Sequence, residues 1–317
     1  MIWLTWRQHR AQALFSLVGL AVLAAVLVPT GLGMYRTFHD SGLADCLSGA
    51  AGVPPACEDE ARAFFLRYNA FQPFGILLLL LPLLVGMFFG PSLVARELEH
   101  GTHRLLWTQS VTRRHWALVK VGLVLAGTVL LSGGYAALAY WWFTPFARAY
   151  IGRFEYGLFD LQGIVPVAYT VYAVALGVFA GTVWRKVTPA MAATLAGFIG
   201  VRVAVELARP YFLPVREIRV PIYGTERVAG QPGDWVLSTS IYDAPGHRLA
   251  GGFIVCPVQD NPEPHQVCEG FAPGAYNLQV IHPVSQYWTY QFIETGIFVA
   301  CAALLLYLAL RRIRRII

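Results

Sequence analysis

Charged side chains are scarce in this chain: Asp, Glu, Lys and Arg make up 13% of 317 residues, against 56% hydrophobic residues. Soluble globular domains carry about 25% charge, and a mean hydropathy of +0.53 excludes that class. Catalytic signatures are missing as well. No G-x-x-x-x-G-K-[ST] run occurs, so the backbone cradle with which a P-loop grips phosphates is absent. H-E-x-x-H and G-x-S-x-G are also missing, which removes the zinc-protease and hydrolase-elbow readings. His100 and His103 stand near Glu97 and Glu99, but Gly101 interrupts any shared helix. His247, His265 and His282 are scattered through one polar stretch. We therefore expect no catalytic residue, no metal site and no cofactor on this chain.

What is present is apolar length. Six runs, at about 11–34, 71–94, 117–143, 163–184, 188–208 and 288–310, reach the roughly 18 to 20 residues that a helix needs to cross a bilayer core. Helices satisfy their own backbone groups in lipid, so each run reads as a spanning helix. The first run is too long for a secretory signal and lacks a clear cleavage site, so it reads as an anchor that stays. Bases concentrate on alternate connections: Arg7, Arg10, Arg96, Arg104, Arg113, Arg114, Lys120, Arg185, Lys186 and the RRIRR tail, opposed there only by Glu97 and Glu99. The positive-inside rule then puts both termini in the cytoplasm of a multi-pass cell-membrane protein. The net charge of +6 is thus a sidedness signal, not a nucleic-acid signal.

Four segments follow. Residues 1–10, with Trp3, Trp6, Arg7 and Arg10, suit an interfacial leader or an ordinary basic flank with aromatic anchors. Residues 11–208 hold spans one to five. Residues 209–287 form an extracytoplasmic insertion, and 288–317 the last span and its basic tail. The insertion alternates polar and apolar residues in DWVLSTSIYD, RLAGGFIVCPV and AYNLQVIHP, between turn clusters such as GQPGD and DAPGH, so it reads as β-rich. The expected fold is all-α polytopic, six transmembrane helices with this small insertion between spans five and six. In the first outer loop, ARAFFLRY reads as a short interfacial helix. Cys46 and Cys57 share that loop, and Cys256 and Cys268 share the insertion. Both pairs are candidate disulfides on an oxidising side, whereas Cys301 lies in the last span as a small apolar residue.

Two sets of polar residues stand out. Within the spans, Arg202 and Glu206 are spaced i, i+4 and can pair on one helix face, and Glu294 near the start of the last span is a candidate partner for Arg202. Intramembrane charges are costly and are usually paired or functional. The second set is the polar segment 95–120, ARELEHGTHRLLWTQSVTRRHWALVK. Gly101 allows a sharp break, Thr102 suits an N-cap, and Leu105, Leu106 and Trp107 give a short helix an apolar face. The product is a charge-ringed elbow fit to dock a protein. Small residues at Gly86-x-x-x-Gly90, Gly177-x-x-x-Gly181 and Ala193/Gly197 allow close helix packing.

The segment from Glu97 through Gly101-Thr102, Ser110 to Arg114 and Lys120, behind a WLTWRQHR leader, resembles ABC-2 type transporter permeases of the actinobacterial kind. The resemblance implies that the elbow is a coupling helix seated in a cleft of a separate ATPase subunit, with contacts on Glu97, Gly101, Thr102, Arg104, Trp107 and Arg113. It also implies ATP and Mg on that partner rather than here. A second permease copy, most simply a homodimer, and export as the direction of transport follow from it too. The lack of regular buried charge along the spans suggests an amphipathic small molecule, drug or lipid-like cargo rather than an ion. The large β-rich insertion departs from the family pattern and puts the outer gate in doubt. The same topology fits a membrane sensor or assembly protein whose insertion binds a ligand and whose elbow recruits a partner.

Overall fold

A computed structural model describes residues 2–47, 55–99, 113–155, 157–223, 233–256 and 270–315. Helix α1 runs Ile2–Asp40, α2 Leu43–Cys46, α3 Pro55–Tyr68, α4 Gln72–Glu99 and α5 Arg113–Phe146. Then come α6 Leu158–Leu161, α7 Val165–Trp184, α8 Val187–Ala208 and α9 Tyr287–Arg315. Six of these, α1, α4, α5, α7, α8 and α9, are long and apolar enough to cross a bilayer. The chain is an all-α polytopic membrane protein with a small antiparallel sheet between the fifth and sixth of them. The start of α1, the end of α4, the start of α5, the α7/α8 turn and the end of α9 share one end of the bundle, the terminal face. The sheet lies at the other.

Helix α7 is the axis. Of the residues in its most apolar stretch, 67% are buried in protein, against 6% for α1. Its closest neighbour is α4, and glycine makes that contact. A Cβ on Gly90 would fall 2.7 Å from Gly177 Cα and from the Val174 carbonyl oxygen, and one on Gly177 would meet Pro91 Cδ at 2.5 Å. Backbone therefore lies against backbone where larger residues would hold the helices apart. Across the other side of α7, Tyr172 stacks on Phe198 of α8 and meets Phe298 of α9 edge-on.

The leader is continuous with the first span: α1 is helical without interruption from Ile2. Neither Gly nor Pro occurs before Gly19 and Pro29, so nothing breaks the helix. In the first loop, α3 is 14 residues long and longer than the segment expected. It buries Cys57, Ala61, Phe64 and Tyr68, one stripe at helical spacing, against Phe38 and Phe146. A disulfide joins Cys46 to Cys57, with Cα atoms 6.3 Å apart.

The sheet has four strands, β1 Arg216–Pro221, β2 Trp235–Tyr242, β3 Arg248–Gly251 and β4 Tyr276–His282, in the order β1-β4-β2-β3, all antiparallel. Strand β1 is an addition to the three expected, because REIRVP carries only Ile218 and Val220 as apolar strand-formers. The expected strand over RLAGGFIVCPV stops at Gly251. Beyond Gly252, at φ +112°, the Asn277 side chain takes over: its amide and carbonyl bond the Ile254 carbonyl and N–H at 2.8 and 3.0 Å. One side chain thus replaces a ladder partner. Cys256 is disulfide-bonded, and Cys268 lies outside the described residues.

Candidate functional site

The most polar buried site sits where the bundle meets the sheet, and it begins with a short turn. After α5, a π-helical turn at Ala147–Ile151 leads to α6, all four residues of which are buried. Gly157 and Gly163 bracket α6 at φ +83° and +72°, conformations that favour glycine. A Cβ on Gly163 would also strike the Gln291 side-chain amide. That amide is the clamp. Gln291 Oε1 accepts the N–H groups of Ile164 and Val165 at 3.1 and 3.2 Å, and Nε2 donates to the Phe159 carbonyl at 3.1 Å. The free N–H groups that open α7 are thereby satisfied by a side chain of α9. This arrangement aims Asp160 inward.

Three helices deliver the rest. Arg202, Glu206 and Arg209 follow at i, i+4 and i+7 along the end of α8 and share one face. Glu294 stands one turn after Gln291 on α9, and Tyr169 one turn into α7. Arg209 donates from Nε to Glu294 Oε2 at 2.9 Å and from Nη2 to Asp160 Oδ1 at 2.7 Å; its Nη1 reaches Glu206 Oε1 at 3.1 Å. Arg202 pairs with Asp160, reaches Glu206 at 2.7 Å and lies 3.7 Å from Glu294. The Tyr169 hydroxyl donates to Asp160 at 3.1 Å and contacts Glu294. Both guanidinium groups also lie over rings: Arg202 over Tyr169 at 4.8 Å and Arg209 over Phe159 at 4.4 Å.

Burial gives this knot its energetic weight. The side chain of Glu294 is 0% exposed and that of Arg209 3%; Arg202 at 18% and Glu206 at 26% form its open rim. Isolated charges at such depth are prohibitively costly, but here each guanidinium bridges two or more carboxylates. Three carboxylates face two guanidinium groups, and the surplus negative charge is best solvated at Glu206. With its donors committed internally, the knot works as a brace joining α6, α7, α8 and α9 rather than as an open ligand site. An aromatic layer continues it toward the sheet. Phe154 stacks on Trp235 of β2 and meets Tyr290 of α9 edge-on, and His282 Nε2 of β4 bonds the Pro210 carbonyl at 3.0 Å.

The structure brings Arg202, Glu206 and Glu294 together. It adds Asp160, Tyr169 and Arg209, which the sequence reading did not single out. Arg209 was assigned to the outer insertion; it instead completes the buried knot, because α8 runs on into a 3-10 turn, Arg209–Tyr211. A signal for Asp160 was available: a lone carboxylate within the apolar LFDL, set between two glycines. The coupling residues fall elsewhere. Gly101, Thr102, Arg104 and Trp107 lie outside the described residues. Glu97 lies in the last turn of α4 and Arg113 opens α5, and only their backbone is described. Beside them, Glu99 Oε2 accepts the Val187 N–H at 3.1 Å, so the last residue of α4 caps the first turn of α8. Among the described residues no group of three or more His, Cys, Asp or Glu is placed to hold a metal ion.

Six helices long and apolar enough to cross a membrane, braced by buried charge at one end, define an integral membrane protein. The chain belongs to the ABC-2 membrane transporter-related family, whose sequence model matches residues 17–209. No curated protein and no solved structure matches it. The family supplies the non-catalytic membrane part of an ABC-type assembly, and its membership implies an ATPase partner.

Proposed function

We propose that this chain is the membrane-spanning subunit of an ABC-2 type exporter that moves an amphipathic, lipid-like molecule with energy from a separate ATPase subunit. The family match over the first five spans carries the reading. The basic elbow 95–120 supports it as the docking point, since a chain without a P-loop needs its ATP, and the Mg that accompanies it, bound elsewhere. The distribution of Lys and Arg supports cytoplasmic termini and an elbow on the ATPase side. Two copies of the chain would enclose the pathway, with one ATPase beneath each elbow. The lack of regular charge along the spans favours an amphipathic cargo over an ion.

Affinity purification of the full chain from its native membrane tests this. A P-loop ATPase should co-purify, and charge reversal at Glu97 or Arg104 should release it while the six-span protein remains in the membrane. Recovery of the chain without any ATPase, but with a partner bound through the sheet, would instead establish the sensor reading.

A further inference from the structure

A second feature lies apart from the ionic knot. Between α1, α4 and α5 runs a groove of about 520 Å³, with Thr170 of α7 at its back, within the size range of sites for small organic ligands. It follows α1 from Gln12 to Val26, about 21 Å at 1.5 Å per residue. That exceeds the depth of one leaflet in a hydrocarbon core about 30 Å thick. Its wall is apolar although it contains hydroxyl residues. Thr128, Ser132 and Thr170 each bond a carbonyl one turn back on their own helix, and Tyr135 donates to the Leu78 carbonyl at 2.9 Å. No hydroxyl among these needs a polar ligand.

Glycines mark where an occupant would lie. Gly86, Gly90 and Gly177 are required by helix contact, but Gly19 and Gly127 are not. Both line the groove from facing helices, and a Cβ on either would meet no atom within 4 Å. The open ends of the lining differ in polarity. At the terminal face, Gln12 Nε2 reaches Ser92 Oγ at 3.5 Å, so α1 and α4 meet there. Arg10, one turn before Ala13 on α1, and Arg96, one turn after Ser92 on α4, are both exposed at that end. The nearby Glu99 carboxylate is engaged with the α8 N-terminus.

We infer that this groove binds the acyl chain of an anionic amphiphile, with the chain against Gly19 and Gly127 and the head group between Arg10 and Arg96. Charge complementarity selects an anionic head, and the groove is a single slot suited to one chain. That the bound amphiphile is also the cargo rests on the permease reading; occupancy of the groove does not.

Photolabelling separates the two. The full chain in phosphatidylcholine nanodiscs, without ATPase, is exposed to lysophosphatidic acid bearing a diazirine on its acyl chain, and the labelled peptides are mapped. Label should concentrate on 12–26 and 123–135. The double variant Gly19→Leu, Gly127→Leu should reduce it about tenfold or more, the penalty that an apolar pocket sets on a misfit of a methylene or more. Gly127→Leu alone serves if the double variant melts early. Arg10→Gln with Arg96→Gln should weaken labelling by this probe but not by lysophosphatidylcholine carrying the same chain. Equal labelling of lipid-facing α8 residues such as Ile199 and Val203, unchanged in the leucine variants, would overturn the site as ordinary annular lipid. Disulfide trapping of two Leu23→Cys copies across the groove, with exclusion of the probe, would overturn it as a seam between copies. Loss of the ATPase in the purification above, with labelling intact, would sink the exporter and leave the lipid site standing.

Discussion

Helices α1 and α7 both cross the membrane, yet they are held in opposite ways. Around α7 the packing is close and polar: glycine-mediated contact with α4, a glutamine clamp from α9 and a buried five-charge knot shared with α6, α8 and α9. Around α1 it is open and apolar, with Leu14, Phe15 and Val22 each more than half exposed and a groove beside them. The difference assigns each half a task. In lipid, apolar surfaces gain little from meeting one another, so helix association depends on packing, small residues and hydrogen bonds. The α7 half has all three and is a rigid body. Residues 12–26 of α1 have few, which leaves that stretch open to a lipid-like molecule. Farther along, α1 is fastened to α5: Thr30 accepts from Trp142 Nε1 at 3.0 Å and Tyr35 donates to the Trp141 carbonyl at 3.0 Å.

The sharpest way to break the contrast is to remove one charge from the braced half. Glu294→Ala leaves Arg209 and Arg202 in buried surroundings with fewer partners, and breaking a buried pair on one side costs about 3–5 kcal/mol. The thermal unfolding of the detergent-purified chain should fall accordingly, whereas Leu14→Ala on α1 should leave it nearly unmoved. Arg209→Ala with Asp160→Ala should destabilise by less than the sum of the single variants, because the pair is one network. Additive losses would mean that the two residues act independently. Next in size is the Cys46–Cys57 link, which ties α3 to α2, the short helix that follows α1. Its residues are 11 positions apart, and closing a short loop of this kind contributes about 2–4 kcal/mol. Reduction should expose the α3 end to limited proteolysis while the knot end stays protected.

The α4–α7 contact gives a third, smaller test. Gly90→Ala must push Gly177 or the Val174 carbonyl away, at a cost of about 1–3 kcal/mol for overpacking. Gly127→Ala, open to the groove, should cost almost nothing. The unfolding midpoints of the two variants compared side by side would check this, and equal midpoints would refute the division of the glycines into packing and groove classes.

These regions also differ in how far the sequence disclosed them. Six spans and the sheet between the fifth and sixth were legible because bilayer thickness and strand alternation act on local runs. Arg202 with Glu206 was legible for the same reason, as a pair within one helix. Asp160 and Arg209 were not, because each lies at a span edge where a charge reads as a loop residue. Only the three-dimensional turn between Gly157 and Gly163 carries Asp160 inward. Strand β1 was hidden by its charged residues, since as an edge strand it is selected by pairing with β4 rather than by a buried face. The groove left no local trace at all: a glycine that opens a cavity and one that closes a helix contact look alike in sequence.

The smallest effect bears on how the two halves communicate. Glu99 is exposed, and its cap on Val187 should contribute only about 0.5 kcal/mol, the low end for N-terminal caps. Yet it joins the last residue of α4, inside the elbow segment, to α8, whose other end carries Arg202 and leads into Arg209. Under the proposed function, motion imposed on the elbow would reach α8 through this bond and pass along a rigid helix to the knot and the sheet. Glu99→Ala should therefore barely lower the unfolding midpoint, but it should speed hydrogen exchange at the Val187 amide. In the assembled transporter it should lower transport per ATP hydrolysed, while Glu99→Gln, which retains an acceptor oxygen, should preserve most of both. Unchanged coupling in Glu99→Ala, with the faster exchange present, would show that the elbow acts on α4 and α5 alone.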